Sequence, residues 1–336
     1  GMTVTKNEGF KTVISIRGVG NEANQNASAN PSVSYHFDGV YVASPFSLQT
    51  QFFDIERLDI LRGPQATVFG QNATGGAINV ITKEPNTLRL EGEGEVTVGE
   101  DNLLRTTGYI NVPMGDNFAI RASFATSEHD GYSENIVLNQ ELDDSDNWSG
   151  RIRALWNASD NLTFHLTAQL FSEDRNGSAQ KGLLDPTSDD RKLAQDTLSS
   201  YQLDSEIYSL RAEWGLENFA VNYVGSYQND EIEVQRDNDR SDFSTLPPFT
   251  ILGGSFDPEV DEQETITNEI YFVSNEQLFD RIDWIAGFFH LDSEVDVTIL
   301  ERLDKNFNGT FEPFTVDQVI GKWHSRNLKS RHLFYR

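Results

Sequence analysis

The feature that most constrains this chain is a two-residue alternation of apolar and polar side chains, which recurs from residue 88 onward. In one segment the apolar set is Leu162, Phe164, Leu166, Ala168 and Leu170, and the positions between them are polar. In another, the apolar face has Trp148, Ile152, Ala154 and Trp156, and the polar face has Ser149, Arg151 and Arg153. This period predicts strands with one apolar and one polar face. We expect roughly nine such strands, near 88–98, 103–112, 117–127, 147–157, 161–171, 205–215, 218–228, 264–275 and 281–293.

The connections between these segments alternate in length. Every second connection is tight, at 113–116, 158–160, 216–217 and 278–280, whereas those between them, after the first, are long: 128–146, 172–204, 229–263 and 294–321. Outer-membrane barrels have short periplasmic turns and longer outer loops, and a soluble sandwich has no reason to sort its loops in this way. The pattern therefore predicts the antiparallel up-and-down strands of a transmembrane β-barrel.

Composition narrows the class of protein but does not decide between a membrane barrel and a soluble protein. The 336 residues include 53 acidic and 26 basic side chains and no cysteine, and the mean hydropathy is −0.49. No apolar run reaches the roughly 18 residues of a spanning helix, but alternating strands keep the average hydropathy low even in a bilayer. The acidic balance argues against nucleic acid as a partner. An acidic soluble protein stays open on composition alone.

Residues 1–86 lack this rhythm and are predicted to form a separate, small mixed α/β domain, with residues 87–336 as the barrel portion. Asp38-Gly39 between two apolar runs predicts a hairpin, and residues 64–69 predict one helical turn that begins at a proline. Pro85 and Asn86 mark the boundary. Strands are expected at 13–16, 34–37, 57–61 and 77–82.

Three motifs in this first domain carry a family resemblance. They are ISIRGVG at 14–20, SYHFDGVYV at 34–42 and FDIERLDILRGPQATVFGQNATGGAINVITK at 53–83. In this order and spacing they resemble the plug signature of TonB-dependent receptors, which import iron chelates, cobalamin, sugars and other nutrients across the Gram-negative outer membrane. The resemblance implies a plug inside a barrel of about 22 strands, of which nine or ten are present. Leu58-Asp59, Ala66 and Gln71 depart from the common family residues.

The resemblance also implies roles for single residues. Arg17 and Arg62 match family arginines that pair with barrel glutamates and so hold the plug to the wall, a role that suits a permanently charged, bidentate guanidinium. An exposed arginine beside a turn is the alternative. Turn and close-packing positions of the plug motif, where glycine suits a tight backbone, are Gly18, Asp38, Gly39, Gly63, Pro64, Gly70, Asn72, Gly75 and Gly76.

Ligand contacts are expected at the outer apices of the plug. The loops at these places offer amides, hydroxyls and an aromatic ring, which can hold an uncharged or chelated ligand; polar loops without a fixed ligand are the alternative. The candidate contacts are Asn21, Asn24, Ser44, Phe46 and Gln49.

A degenerate calcium loop is the one metal candidate. Asp304, Asn306, Asn308 and Glu312 match part of the oxygen-ligand spacing, but Thr315 stands where a bidentate glutamate belongs, and an ordinary Asn-Gly turn explains the segment as well. We expect no metal and no cofactor. No catalytic constellation is recognisable, so the chain is not expected to be an enzyme.

The sequence therefore predicts part of an outer-membrane receptor for a ferric siderophore or similar metal chelate. Its expected partners are the TonB complex, the chelate and outer-membrane lipid; a soluble or surface-attached β-rich protein, for example one that binds glycans, is the alternative. Both ends look truncated, and the basic segment 321–336 breaks the acidic pattern, as a shifted reading frame would. We expect that the chain alone neither closes a barrel nor transports.

Overall fold

The computed structural model describes the chain except for residues 8–10, 21–31, 45–51, 65–72, 184, 238–239, 243–254, 257–258, 276–280, 300, 304–317, 322–327 and 336. Every regular element in the described part is a strand. No helix among these residues is long and apolar enough to cross a membrane. The helical turn expected at 64–69 falls, from residue 65 on, outside the described residues.

The first part of the chain forms two small sheets, here called the N-terminal unit. Its strands are β1 (Met2–Asn7), β2 (Lys11–Ile16), β3 (Val19–Gly20), β4 (Val33–Phe37), β5 (Val40–Tyr41), β6 (Ile55–Arg62) and β7 (Gly76–Thr82). Strands β1, β2 and β3 form one antiparallel sheet, and the other sheet has the order β5-β4-β7-β6, with β4 parallel to β7. Four strands were expected here, and each of them overlaps an observed strand.

Two backbone positions show why the N-terminal unit folds as it does. Asp38 and Gly39 have φ of 50° and 85°, the two positive values that a type I′ hairpin turn requires, and β4 pairs with β5 around them. The predicted hairpin is thus confirmed. At Gly76, the first residue of β7, φ is 150° and an added Cβ would clash with the carbonyl oxygen of Leu61 on β6, so only glycine fits there.

The described residues after β7 form sixteen further strands. They are β8 (Glu91–Val98), β9 (Leu104–Pro113), β10 (Phe118–His129), β11 (Ser133–Asn135), β12 (Gln140–Leu142), β13 (Ser145–Ser159), β14 (Leu162–Arg175), β15 (Lys192–Leu193), β16 (Ser200–Gly215), β17 (Phe219–Gln235), β18 (Ser255–Phe256), β19 (Glu259–Ser274), β20 (Ile285–Ile299), β21 (Glu301–Leu303), β22 (Gln318–Gly321) and β23 (Leu328–Tyr335).

Ten of these strands make one antiparallel sheet, which we call the wall. Its order, β8-β9-β10-β13-β14-β16-β17-β19-β20-β23, follows the chain, as an up-and-down barrel requires. All nine predicted strands are present, and β23 adds a tenth within the basic segment that breaks the sequence pattern. The long connections contain two further three-stranded sheets, β12-β11-β15 and β18-β21-β22.

The wall is apolar on its outer face and polar on its inner face. On the outer face Ile152 and Leu166 are 57% and 51% exposed, whereas Arg151 and Gln169, on the inner face of the same two strands, are each 2% exposed. Trp148 and Trp156 lie on the outer face on either side of Ile152. Their separation of eight positions is about 27 Å along a strand, close to the ~25 Å apolar band between aromatic girdles of outer-membrane barrels. This polarity is the reverse of a soluble domain.

Candidate functional site: the interface between the N-terminal unit and the wall

Arginines on the inner face of the wall carry the contact with the N-terminal unit. Arg121 on β10 lies directly opposite Arg153 on β13, and Arg151 follows on the same face of β13. Like charges that face each other across two strands destabilise a sheet, and burial removes the water that would screen them. The arrangement therefore requires oxygen acceptors from outside the wall, and the N-terminal unit supplies them.

Arg121 binds Asp54 in a two-pronged ion pair. Its Nε and Nη2 lie 2.7 and 2.6 Å from the two carboxylate oxygens, and the two side chains are 2% and 5% exposed. The guanidinium also stacks 3.8 Å from the ring centre of Tyr109, while its Nη1 approaches Glu91 of β8 at 3.4 Å. Loss of one partner from such a buried pair costs about 3–5 kcal/mol, because the other charge is left without compensation.

Arg153 reaches the turn of the predicted hairpin through Thr82. Its Nη1 donates to the hydroxyl and carbonyl oxygens of Thr82 at 2.7 and 2.9 Å and to the carbonyl of Lys83 at 3.2 Å. Thr82 in turn donates its N–H and its hydroxyl to the carboxylate of Asp38 at 2.8 and 2.6 Å. Asp38 lies 3.7 Å from Arg153 itself. The end of β7 and the β4–β5 turn are thus tied to one wall side chain.

Arg151 is a buried cation of a different kind. Its Nε donates to Gln169 at 2.8 Å and its Nη1 to the carbonyl oxygen of Phe53 at 3.1 Å. The guanidinium carbon lies 4.8 and 4.3 Å from the ring centres of Phe37 and Phe53, within cation–π range. Within the described part of the chain no carboxylate lies at ion-pair distance from Arg151, and its Nη2 has no hydrogen-bond acceptor.

The segment that joins the N-terminal unit to the wall is held at both ends. Glu84, which is partly exposed, lies 2.8 Å from Arg211, 3.6 Å from Arg153 and 3.5 Å from His165. Further along, the fully buried Asn111 exchanges hydrogen bonds with the backbone of Asn86 at 2.8 Å in both directions.

A further contact between the wall and the N-terminal unit lies on β17. There Gln228 donates to the carbonyl of Tyr41 at 2.7 Å and accepts from the N–H of Ala43 at 3.4 Å.

One histidine of the N-terminal unit has a perturbed acidity. His36 on β4 is buried, and its ring meets that of Tyr41 edge-on with 5.6 Å between centres. Burial lowers the pKa of the His36 imidazole to about 4, and the backbone hydrogen bond at Gly39, which raises this pKa, is the smaller effect. The imidazole is therefore neutral at pH 7.

The two arginines singled out from the sequence lie elsewhere. Arg17 stands in the turn after β2 with φ of 54°, and Arg62 ends β6; both are exposed. Among the described residues neither forms an ion pair. The predicted contact of Arg17 and Arg62 with barrel glutamates therefore stays a prediction. The arginines that do contact the N-terminal unit come from the wall, and the alternation had already put Arg151 and Arg153 on its polar face.

The remaining predicted site residues divide into two groups. Gly18, Gly39 and Gly63 have positive φ, and a Cβ added to Gly75 would lie 3.0 Å from Val19 and 3.2 Å from the carbonyl oxygen of Ser32, as expected of turn and close-packing glycines. Pro64 is exposed beyond the end of β6, and Ser44 is buried. Outside the described residues lie Asn21, Asn24, Phe46, Gln49, Gly70, Asn72, Asp304, Asn306, Asn308 and Glu312. Where the chain is described, no group of three His, Cys, Asp or Glu side chains could hold a metal ion.

Comparisons with known proteins agree with this architecture. The family model of the TonB-dependent receptor plug domain matches residues 1–77. This chain is 37% identical over 75 residues to the pesticin receptor of Yersinia pestis, a match that covers 22% of this chain and 10% of that receptor. It is 23% identical over 357 residues to the iron-regulated outer membrane virulence protein of Vibrio cholerae, with 96% of this chain and 50% of that protein covered.

Solved structures show the same fold. The ferric yersiniabactin uptake receptor from Yersinia pestis superposes with a TM-score of 0.73 at 18% identity, over 90% of this chain and 46% of that one. The siderophore receptor PiuA from Acinetobacter baumannii gives 0.70 at 14% identity, over 100% of this chain and 49% of that one. The chain thus spans about half the length of these relatives, and its N-terminal unit corresponds to their plug.

Proposed function

We propose that this chain, which carries a TonB-dependent receptor plug domain within the fold of these receptors, is part of an outer-membrane receptor that imports a ferric chelate. The observation that carries the proposal is the buried docking of plug carboxylates and carbonyls on wall arginines, behind an outer face of exposed apolar side chains. The relatives are named as iron-regulated, pesticin and siderophore receptors, which supports a metal chelate as cargo and transport in place of catalysis.

The proposed mechanism follows from what the interface does. While Arg121 holds Asp54 and Arg153 holds Thr82 and Asp38, the plug covers the inner face of the wall. Ligand would be captured at the outer apices of the plug, where Asn21, Asn24, Ser44, Phe46 and Gln49 are the proposed contacts. Passage then requires these buried bonds to break. Separation of the Asp54 pair alone costs about 3–5 kcal/mol, so an external energy source, the TonB complex, is part of the proposal.

The domain boundary and the plug arginines belong to the same proposal. Residues 1–86 form the plug and residues 87–336 the first part of the barrel, with Glu84 and Asn86 as its anchored junction. In the full receptor, Arg17 and Arg62 would pair with glutamates of later strands, on the side of the plug away from the described wall. The soluble alternative is disfavoured, because side chains such as Ile152 and Leu166 would stand exposed in water.

Uptake by the full-length receptor tests the proposal. Cells that express it as their sole receptor of this class, with and without a working TonB, are supplied with radioactive iron as a panel of chelates under iron limitation. We expect energy-dependent uptake of at least one chelate that disappears without TonB. Partition of the receptor into the aqueous fraction, or uptake that does not depend on TonB, would contradict the proposal.

A further inference from the structure

The buried part of the plug–wall interface carries an excess of positive charge. Three guanidinium groups, those of Arg121, Arg151 and Arg153, are at most 3% exposed. Among the residues that the structure describes, only two buried carboxylates, those of Asp38 and Asp54, face them, so three charges minus two leave one cation in excess. Glu84 and Glu91, which also approach this group, are 42% and 26% exposed. Buried charge without a matched partner is costly, and such a feature is a candidate functional site.

Arg151 is the cation in excess. Its neighbours are an amide oxygen, a backbone carbonyl and two aromatic faces, and one of its nitrogens has no acceptor among the described residues. These contacts orient the guanidinium toward the plug without neutralising it. The plug side of the contact is a set of oxygen atoms, which occupy the positions that the oxygens of an anion would take.

Displacement of this side of the plug would leave the arginines as a row on the wall. Asp54, Thr82, Asp38 and the carbonyl of Phe53 all belong to the plug, so their removal exposes donors on β10 and β13 together, with Arg211 two strands further on. Guanidinium groups bind carboxylate and phosphate oxygens in a bidentate manner.

The overall charge of −27 does not cancel this local field. On the long-loop ends of the strands, Glu231 of β17 faces Glu262 of β19, and both are exposed on the outer face. Glu233 and Glu264 extend the same outer row. These carboxylates lie on the outer face of β17 and β19, whereas the arginines lie on the inner face of β10 and β13.

We infer that Arg121, Arg151 and Arg153 form an anion-binding track that the plug occupies at rest and that a negatively charged chelate uses during passage. This inference rests on the proposed function and narrows its cargo to chelates that carry carboxylate, phenolate or phosphate groups with a net negative charge. The plug carboxylates act at rest as substitutes for the cargo.

A charge series of one chelate scaffold tests the track in the full-length receptor. Iron complexes of a trihydroxamate that carries carboxylate, amide or amine arms are compared for binding to cells without TonB and for uptake by cells with it. We expect uptake, normalised to binding, to be about tenfold higher for the anionic than for the cationic complex. Equal normalised uptake of the three complexes would overturn the inference and leave the proposed function intact. If the receptor takes up neither these complexes nor any other chelate, both the inference and the proposed function are overturned.

Substitutions of Arg151 test whether this residue causes the preference for the anionic complex. Arg151→Gln removes the charge without breaking either the Asp54 or the Asp38 contact, so we expect binding to stay and the preference for the anionic complex to disappear. Arg151→Lys should keep the preference, even if the glutamine variant fails to reach the membrane. Arg57→Gln, which removes an exposed plug cation paired with Glu56 and Asp59, is the matched control. A preference that survives in Arg151→Gln, or is lost in Arg151→Lys, would exclude the track.

Discussion

The two faces of the wall are built by the same strands and are stabilised in opposite ways. On the outer face Ile152 and Leu166 are more than half exposed, and lipid is their expected neighbour. On the inner face Arg121 and Arg153 are buried and need partners, which the plug provides. On β10, β13 and β14, buried side chains such as Arg121 and Arg153 therefore make polar contacts with the plug, whereas exposed side chains such as Ile152 and Leu166 form the apolar surface.

The stability of the inner face therefore depends on the partners that the plug supplies. A buried polar group that has lost its partner destabilises a folded protein by more than the same group stabilises it when it is paired. Without the plug, Arg121 and Arg153 would face each other and would lose the buried carboxylates of Asp54 and Asp38, while the partly exposed Glu91 of β8 would stay near Arg121. The plug thus completes the wall as well as closing it.

The largest expected effect comes from the inner face. Arg121→Ala leaves Asp54 as a buried carboxylate without its guanidinium partner, which should weaken plug docking by about 3–5 kcal/mol. Protease cleavage of the plug in the full-length receptor measures this docking. We expect faster cleavage than in an Arg57→Ala control; equal rates in both would show that the pair does not hold the plug.

The outer face should respond to the opposite change. Ile152→Lys places a charge at the centre of the apolar face and should destabilise the folded barrel by about 2–4 kcal/mol if it lies at the bilayer midplane. Urea midpoints of the full-length receptor in lipid vesicles measure this cost, with Ile152→Leu as the control. A lysine variant as stable as the leucine variant would mean that this face does not contact lipid.

A plug arginine provides the third test. Arg62→Ala in the full-length receptor should remove the predicted ion pair with a later strand and increase the leak of small solutes, by a loss of up to about 3–5 kcal/mol if that pair is buried. Single-channel conductance and sensitivity to large antibiotics measure the leak. Parental values of both would rule out a holding role for Arg62 and leave the wall arginines as the attachment.

The smallest effect is expected from pH. The pKa of His36 falls from 6.5 to about 4 on folding, so the unfolded plug binds a proton between these values that the folded plug does not. Stability is therefore present above pH 6.5 and is lost as the pH falls toward 4, by about 2 kcal/mol at pH 5. Plug proteolysis at pH 7 and pH 5 should depend less on pH in His36→Gln than in the parent or in His129→Gln. Identical dependence in all three would exclude His36 as the sensor.

Much of the fold could be predicted because its signals are local. The period of two gave nine wall strands and placed Arg151 and Arg153 on the polar face, and Asp38-Gly39 gave the hairpin. Strand β23 was missed because its basic sequence does not follow the acidic pattern upstream. The small sheet of β11, β12 and β15 was missed because strands of two or three residues from separate loops leave no periodic signal.

The interface was harder to predict than the strands. Asp54 and Arg121 are 67 positions apart, and nothing in either local sequence indicates that they meet. Thr82 connects Asp38 to Arg153 only because β7 ends beside the hairpin turn. Attention to cations on the inner face of the wall would have indicated that the plug must supply anions, but not which ones.

Exchange of the charges at positions 54 and 121 tests whether the ion pair between them holds the plug to the wall. Asp54→Arg and Arg121→Asp, made singly in the full-length receptor, should each place like charges together and expose the plug to protease. The double variant restores an ion pair with its polarity reversed, so we predict that protection returns to near the parental level. A double variant as sensitive as the single variants, or single variants as resistant as the parent, would contradict the claim that paired charges hold the plug to the wall.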